Sequence, residues 1–103
     1  MAEREGNAQR YGFVRLHARE GEEAVLEAAL REVMARSREE AGCLDFHIFR
    51  SMRDRRLFFI HSKWLDDRAF AEHGQLLHTR EFLTRVDALV DQPRETARTE
   101  KIG

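Results

Sequence analysis

The stretch 72–82, EHGQLLHTREF, holds two histidines five positions apart around a glycine. An imidazole can bind a metal ion or exchange a proton near neutral pH. Histidines that share a metal on one helix are usually four residues apart, whereas His73 and His78 on a continuous helix would point about 140° apart. No cysteine or second carboxylate is spaced to complete a ligand set with them. We therefore predict no metal site and no metal cofactor. Instead, we expect His73 to hydrogen-bond at the end of one helix and His78 to begin the next.

Three other histidines, His17, His47 and His61, have odd numbers in the predicted strands and so share one face of the predicted sheet. They could gather around a metal ion, or they could be polar side chains within an interface. We favour the interface.

The composition is that of one cytoplasmic domain. Of 103 residues, 42% are hydrophobic and 36% charged, and no apolar run is long enough to span a membrane. The net charge of -1, with arginines and glutamates interspersed, offers no basic surface for nucleic acid. Residues 1–10 are polar and lack the apolar core of a signal peptide, so we predict a flexible tail before a domain of residues 11–103. The single cysteine, Cys43, excludes an intrachain disulfide and fits a reducing compartment.

Hydrophobic periodicity predicts alternating strands and helices. Period-two alternation indicates a strand over 11–19, and spacings of three and four indicate a helix over 21–40 that Gly42 ends in a left-handed conformation. Aromatic and β-branched runs predict a hairpin. The remaining elements are a short helix that Asp66 caps, a break at Gly74, a second helix and a weakly patterned final strand. The predicted ranges after the first helix are 43–52 and 56–65 for the hairpin, 66–72 and 77–90 for the helices, and 94–102 for the last strand.

The order β-α-β-β-α-β predicts an α+β, ferredoxin-like plait, an antiparallel sheet with helices on one face. Even-numbered strand residues should face the helices, and they are nearly all apolar: Val14, Leu16, Leu44, Phe46, Ile48, Phe58, Ile60 and Trp64. The opposite face would expose Phe13, Phe49, Leu57 and Phe59 together. Such a patch usually marks an interaction site, so we predict a homodimer that packs sheet to sheet.

The segments AGCLDFHIFRS, KW and DDRAFAEHGQLLHTREF resemble the antibiotic biosynthesis monooxygenase-like proteins, whose pattern runs from Gly-Cys through an aromatic strand ending in Trp to a helix bearing H-x4-H-F. The resemblance covers about residues 12–102. It implies a ferredoxin-like unit that dimerises through its sheets into an α+β barrel. It also implies one of several activities: cofactor-free quinol or anthrone monooxygenation, haem degradation, or isomerisation of a signal molecule.

The chain departs from that family pattern at three places. Ser62 stands where an acidic residue commonly precedes the tryptophan by two positions, and Thr79 replaces the aromatic residue after the second histidine. Haem-degrading relatives use an asparagine on the first strand, whereas the single asparagine here is Asn7. Haem degradation is therefore the lesser expectation.

The leading hypothesis is an oxygenase that acts on a planar phenol, quinol or anthrone with dioxygen and without a cofactor. The resemblance implies that His78 lies over the pocket, where its imidazole could remove the substrate proton. The predicted catalytic residues are His78, Trp64 and His73, and the predicted substrate-binding residues are Phe46, Ile60, Phe82 and Arg85. The alternative is a dimeric protein of the same fold that binds a small ligand or haem without turnover.

Overall fold

The structure, a computed structural model, describes residues 8–103. Its elements are β1 (Arg10–His17), α1 (Glu23–Ser37), β2 (Cys43–Arg50), β3 (Leu57–Trp64), α2 (Asp67–Gln75), α3 (Leu77–Asp87) and β4 (Glu95–Thr99). The strands form one antiparallel sheet in the order β2-β3-β1-β4. This arrangement confirms the predicted α+β, ferredoxin-like plait, and the weakly patterned last segment does form its edge strand.

The start of the domain differs slightly from the prediction. Residues 1–7 of the predicted tail lie outside the described residues, but Arg10 already belongs to β1. Its guanidinium donates to the Asp67 carboxylate, with 2.7 Å between Nε and Oδ1, so it joins the strand to α2. Within residues 8–103, none of the helices combines the length and apolar character needed to cross a bilayer.

Two glycine predictions require correction. Gly74 lies inside α2, and the break between α2 and α3 falls at Leu76, whose backbone is extended. Gly42 does not adopt a left-handed conformation, because Gly21 is the one described glycine with positive φ. The constraint at Gly42 is space: a Cβ there would overlap the Cβ of Ala69 in α2. The predicted cap is correct, since the Asp66 carboxylate accepts the Ala69 N–H at 2.8 Å.

The helix-facing side of the sheet forms the core almost as predicted. Leu16, Phe46, Phe58, Ile60 and Trp64 are all buried there. Leu44 is the exception, with 41% of its surface exposed. A β-bulge causes this difference, because the pairing of β2 with β3 shifts between Cys43 and Asp45 and turns Leu44 away from the core.

Cys43 takes the inward position at this bulge and packs against the core. Burial, followed by the charges of Glu40 and Asp45, raises the pKa of the Cys43 thiol to about 11. The protonated thiol is a packing group rather than a nucleophile at neutral pH.

The opposite sheet face carries exposed aromatic side chains. Phe13, Phe49 and Phe59 are 48%, 53% and 37% exposed, as the face pattern predicted, whereas Leu57, predicted to join them, is half-buried. We call the three phenylalanines the phenylalanine patch. They also line a shallow apolar depression on this face.

His17 departs from that pattern because it is buried and bonded to two carboxylates. Its Nδ1 lies 2.7 Å from Asp91 Oδ1, and its Nε2 lies 2.8 Å from Asp54 Oδ2. A neutral imidazole has one N–H, so both contacts are satisfied when His17 is protonated. The hydrogen bond to Asp91, then that to Asp54, raises the His17 pKa. Within residues 8–103, His17, His47 and His61 form no common group of metal ligands.

Candidate functional site

An apolar cavity of about 240 Å³ lies between the sheet and helices α2 and α3. Three of the predicted substrate-binding residues, Phe46, Ile60 and Phe82, line it. The exposed β4 residues 96–98 line it as well, so the cavity opens along this edge strand. A small hydrophobic molecule entering from this edge would be largely removed from water.

His73 is the histidine in the cavity wall. It projects from the last turn of α2, and the Asp66 cap fixes the opposite end of that helix. Its Nδ1 lies 2.8 Å from Glu40 Oε2. The carboxylate accepts the Nδ1 proton, and no described residue hydrogen-bonds to Nε2. The second ring nitrogen therefore remains as an acceptor for a ligand in the cavity.

Glu40 also contacts His78, the second histidine of the stretch 72–82. His78 Nε2 lies 2.8 Å from the same Oε2 atom, and the side chains of His73, Glu40 and His78 are only 12%, 12% and 19% exposed. Sequence reasoning missed Glu40 because it is 33 residues before His73. One signal was present: the carboxylate follows the end of α1, where the helix dipole disfavours negative charge unless cations or donors compensate.

The electrostatics of the cavity favour a neutral His73. Burial is the main influence and lowers the pKa of His73, while the hydrogen bond to Glu40 opposes this shift. The imidazole is thus unprotonated near neutral pH and available as a base. In hydrolytic triads, too, a carboxylate orients the imidazole that acts as the base.

Trp64 supports His73 rather than lining the cavity. The indole is completely buried, and its ring centroid lies 4.3 Å from that of His73 and 5.7 Å from that of Phe70. Its Nε1 donates to Ser62 Oγ at 2.9 Å. The departure at Ser62 therefore supplies a neutral acceptor for the indole. The rings of His73 and Phe70 lie beside the indole of Trp64, which was predicted to be catalytic.

His78 and Arg85 lie on the far side of α3. Both line an outer groove of about 570 Å³ between α1 and α3, and neither lines the cavity. Arg85 donates to Glu32 on α1, with 3.2 Å between Nη1 and Oε2. The structure thus corrects the predicted placement of His78 over the pocket and of Arg85 beside the substrate. Arg98 of β4 is the arginine that lines the cavity.

The same geometry corrects the argument against a metal. One ligand atom from each of Glu40, His73 and His78 lies within 4.8 Å of the others, so a carboxylate does complete a possible ligand set. Histidines that bind metals usually donate their other N–H to a carboxylate or carbonyl. Within the described residues, His73 Nε2 and His78 Nδ1 have no such partner. The cluster is therefore better suited to holding protons than to holding a metal ion.

The chain is a small α+β protein of the ferredoxin-like class, with an apolar cavity between sheet and helices and a histidine oriented by a carboxylate in its wall. Within this class, the family model described as antibiotic biosynthesis monooxygenase matches residues 13–91. The chain belongs to this family.

Individual relatives agree with this assignment. The chain is 25% identical over 88 residues to the Bacillus subtilis (strain 168) protein named "Putative monooxygenase YcnE", covering 85% of this chain and 90% of that protein. The structure of PA3566 from Pseudomonas aeruginosa superposes with a TM-score of 0.84 at 26% identity, covering 95% and 98% of the two chains. SnoaB from Streptomyces nogalater, a cofactor-independent oxygenase, has a TM-score of 0.81 at 16% identity, with 90% and 92% covered, and this likeness concerns the fold alone.

Proposed function

We propose that this protein is a cytoplasmic monooxygenase that uses dioxygen, without metal or flavin, to oxidise a small phenol or quinol. The observation that carries the proposal is His73 in an apolar cavity wall, with Nδ1 bonded to Glu40 and Nε2 left as an acceptor. Family membership supports a monooxygenase-like activity, and SnoaB is an oxygenase of this fold that needs no cofactor.

His73 would act as the general base. Its Nε2 takes the hydroxyl proton of the substrate, and the resulting imidazolium is stabilised by Glu40. The phenolate is electron-rich, so a ring carbon can form a bond to dioxygen and reduce it to a bound peroxide. Loss of water from this peroxide then converts a quinol to a hydroxyquinone. Each turnover therefore consumes one dioxygen and releases one water. The apolar walls contribute by excluding solvent from the anion.

Arg98 would take the substrate-binding role that was predicted for Arg85. Its guanidinium lines the cavity on β4 and lies 4.9 Å from the centroid of the Phe70 ring. One of its nitrogens donates to the Asp67 carbonyl at 3.2 Å, which leaves other N–H groups to face an anion at the cavity mouth. A cation in that position would stabilise the phenolate and the peroxide.

The cavity volume narrows the substrate class. A dry protein cavity of about 150 Å³ is large enough to hold benzene. The volume of about 240 Å³ here therefore suits one substituted aromatic ring better than the three fused rings of an anthrone. We accordingly expect single-ring quinols to be the better substrates.

Oxygen uptake tests the proposal. Wild-type protein is assayed with single-ring quinols and with anthrones, after treatment with a metal chelator. We expect His73→Gln to reduce kcat by about 10²- to 10⁴-fold and Glu40→Gln to do so less severely. His47→Gln, which changes a histidine that lies away from the cavity, should leave kcat unchanged. Equal rates for His73→Gln and wild type would refute the base assignment.

The non-catalytic alternative predicts different results. A protein that only binds its ligand would show saturable binding of quinols with no oxygen uptake. Haem binding would give a Soret band on titration with hemin, although the cavity is small for a tetrapyrrole. Either result with no oxygen uptake would replace the oxygenase proposal.

We also propose that a second copy of the chain covers the phenylalanine patch, forming a homodimer through the sheet. Its three exposed rings lie together on a sheet face that no described element covers. Light scattering should therefore give a dimer mass, and Phe49→Glu should give a monomer. Met52→Glu is the matched control, because Met52 is 91% exposed but lies beyond the end of β2. A monomeric wild type would exclude this interface.

A further inference from the structure

His73 and His78 line different cavities but share one carboxylate, that of Glu40. His73 lines the inner cavity, and His78 lines the outer groove on the other side of the N-terminal turn of α3. Each places a ring nitrogen 2.8 Å from Glu40 Oε2. A change of charge on one imidazole is therefore felt directly by the other.

We propose that Glu40 and His78 form a proton exit for the site, through which protonation of His73 by a phenol expels a proton from His78 into the outer groove. This inference rests on the proposed function, because it assigns His73 as the base. It makes Glu40 and His78 positioning and proton-exchange groups that do not touch the substrate.

The charge of the cluster provides the physical reason. Glu40 carries one negative charge, so it compensates one imidazolium and not two at this degree of burial. Because burial lowers the pKa of His73, the proposed exit assigns the compensated positive charge to His78 before substrate binds. When the phenol hydroxyl gives its proton to His73 Nε2, the charge moves to His73. His78 then releases its Nδ1 proton to water in the groove.

The reverse exchange completes the reaction. Once dioxygen has accepted an electron pair from the phenolate carbon, the peroxide requires a proton before water can leave. His73 donates that proton from Nε2, and His78 takes one back from groove water through Nδ1. Each half-reaction moves one proton in and one proton out, so the cluster returns to its starting state.

The surroundings of the two cavities fit this division of roles. The walls of the inner cavity near His73 are mainly apolar. The outer groove contains two glutamates and two arginines besides His78, so water and buffer can reach it: Glu32, Arg36, Glu81 and Arg85. These side chains carry charges of both signs, so water in the groove can accept the released proton.

The exit can be tested without turnover by measuring proton release when 4-nitrophenol binds in the absence of dioxygen. The colour of the probe shows whether it is ionised, and calorimetry in buffers of different ionisation enthalpy counts the protons released. We expect wild type to release about one proton per bound phenolate. His78→Ala and His78→Gln should bind the probe but release almost none. Leu77→Ala, which alters the same groove without removing a titratable group, should behave as wild type.

Turnover provides the second measurement. In weakly buffered solution, His78→Ala should lose about tenfold in kcat, and added imidazole should restore it, since small imidazole can replace the missing ring. A merely structural role of His78 would not give this rescue. If both His78 variants release as many protons as wild type when 4-nitrophenol binds, the proposed exit is wrong. The assignment of His73 as the base would remain. Failure of wild type to bind or ionise the phenol overturns the proposed function, and the exit with it.

Discussion

Gly42→Ala is the substitution for which the structure predicts the most specific loss of stability. A Cβ at position 42 would overlap the Cβ of Ala69, and the next nearest atom is the Ala69 Cα at 3.5 Å. Alanine has no rotamer that could relieve this overlap, so backbone must move. The position is held from the other side too, because the Gly42 carbonyl accepts the Leu65 N–H at 2.9 Å.

The expected cost follows from that geometry. Overpacking a tight interior contact usually lowers the free energy of unfolding by about 1–3 kcal/mol. We expect a loss of about 2 kcal/mol here, because α2 must shift as a unit. For a domain of this size, 1 kcal/mol corresponds to a shift of roughly 4–8 °C in Tm. We therefore expect Gly42→Ala to lower Tm by roughly 10 °C in thermal unfolding followed by circular dichroism. The shift of α2 should also displace His73 and reduce kcat.

Gly74→Ala is the matched control. Gly74 lies inside α2, and nothing lies within 4 Å of a Cβ added there. The same chemical change should stabilise the helix by about 0.5–1 kcal/mol, because alanine loses less conformational freedom than glycine. Both variants are measured at one protein concentration. A Gly42→Ala protein with wild-type Tm would refute the assignment of Gly42 as a packing constraint.

Three further perturbations follow from buried groups. Because the His17 pKa is raised in the folded protein, its stabilisation is complete below the ordinary value of 6.5 and is lost as the pH rises through the folded value; the Tm difference between wild type and His17→Gln should shrink over that range. Ser37 Oγ is buried without a hydrogen-bond partner in the described part of the chain, so Ser37→Ala should raise the unfolding free energy by about 1 kcal/mol in urea titrations. Phe82→Ala should lower it by about 3–5 kcal/mol. The larger cavity should improve kcat/KM for anthrones relative to single-ring quinols.

The fold was largely readable from local patterns. Alternation along β1 to β3, the three-and-four spacing of α1 and the Asp66 cap each reflect short-range geometry that the sequence displays directly. The prediction failed where a neighbour decided the outcome. At Leu44, the register shift against β3 turned the side chain away from the core. At Gly42, the requirement for glycine comes from the proximity of Ala69 and not from the backbone conformation.

The site was readable in part. The motif and the family resemblance identified His73, His78 and Trp64, and the face pattern identified Phe46 and Ile60. The resemblance placed His78 over the pocket, whereas in the structure His73 lines the cavity and His78 lines the outer groove, because the break between the helices falls at Leu76. Neither Glu40 nor Arg98 stood out, since each is distant in sequence from the groups it joins.

The sequence alone determined which strand residues alternate, that Asp66 caps a helix and which side chains can exchange protons, because these properties depend on a residue and its near neighbours. Only the tertiary structure decided that Glu40 lies between His73 and His78, that His17 bridges two carboxylates, and that one histidine faces a cavity while the other faces a groove. Such contacts join segments that are 33 to 74 residues apart. Their formation depends on packing of the complete core, which no local pattern encodes.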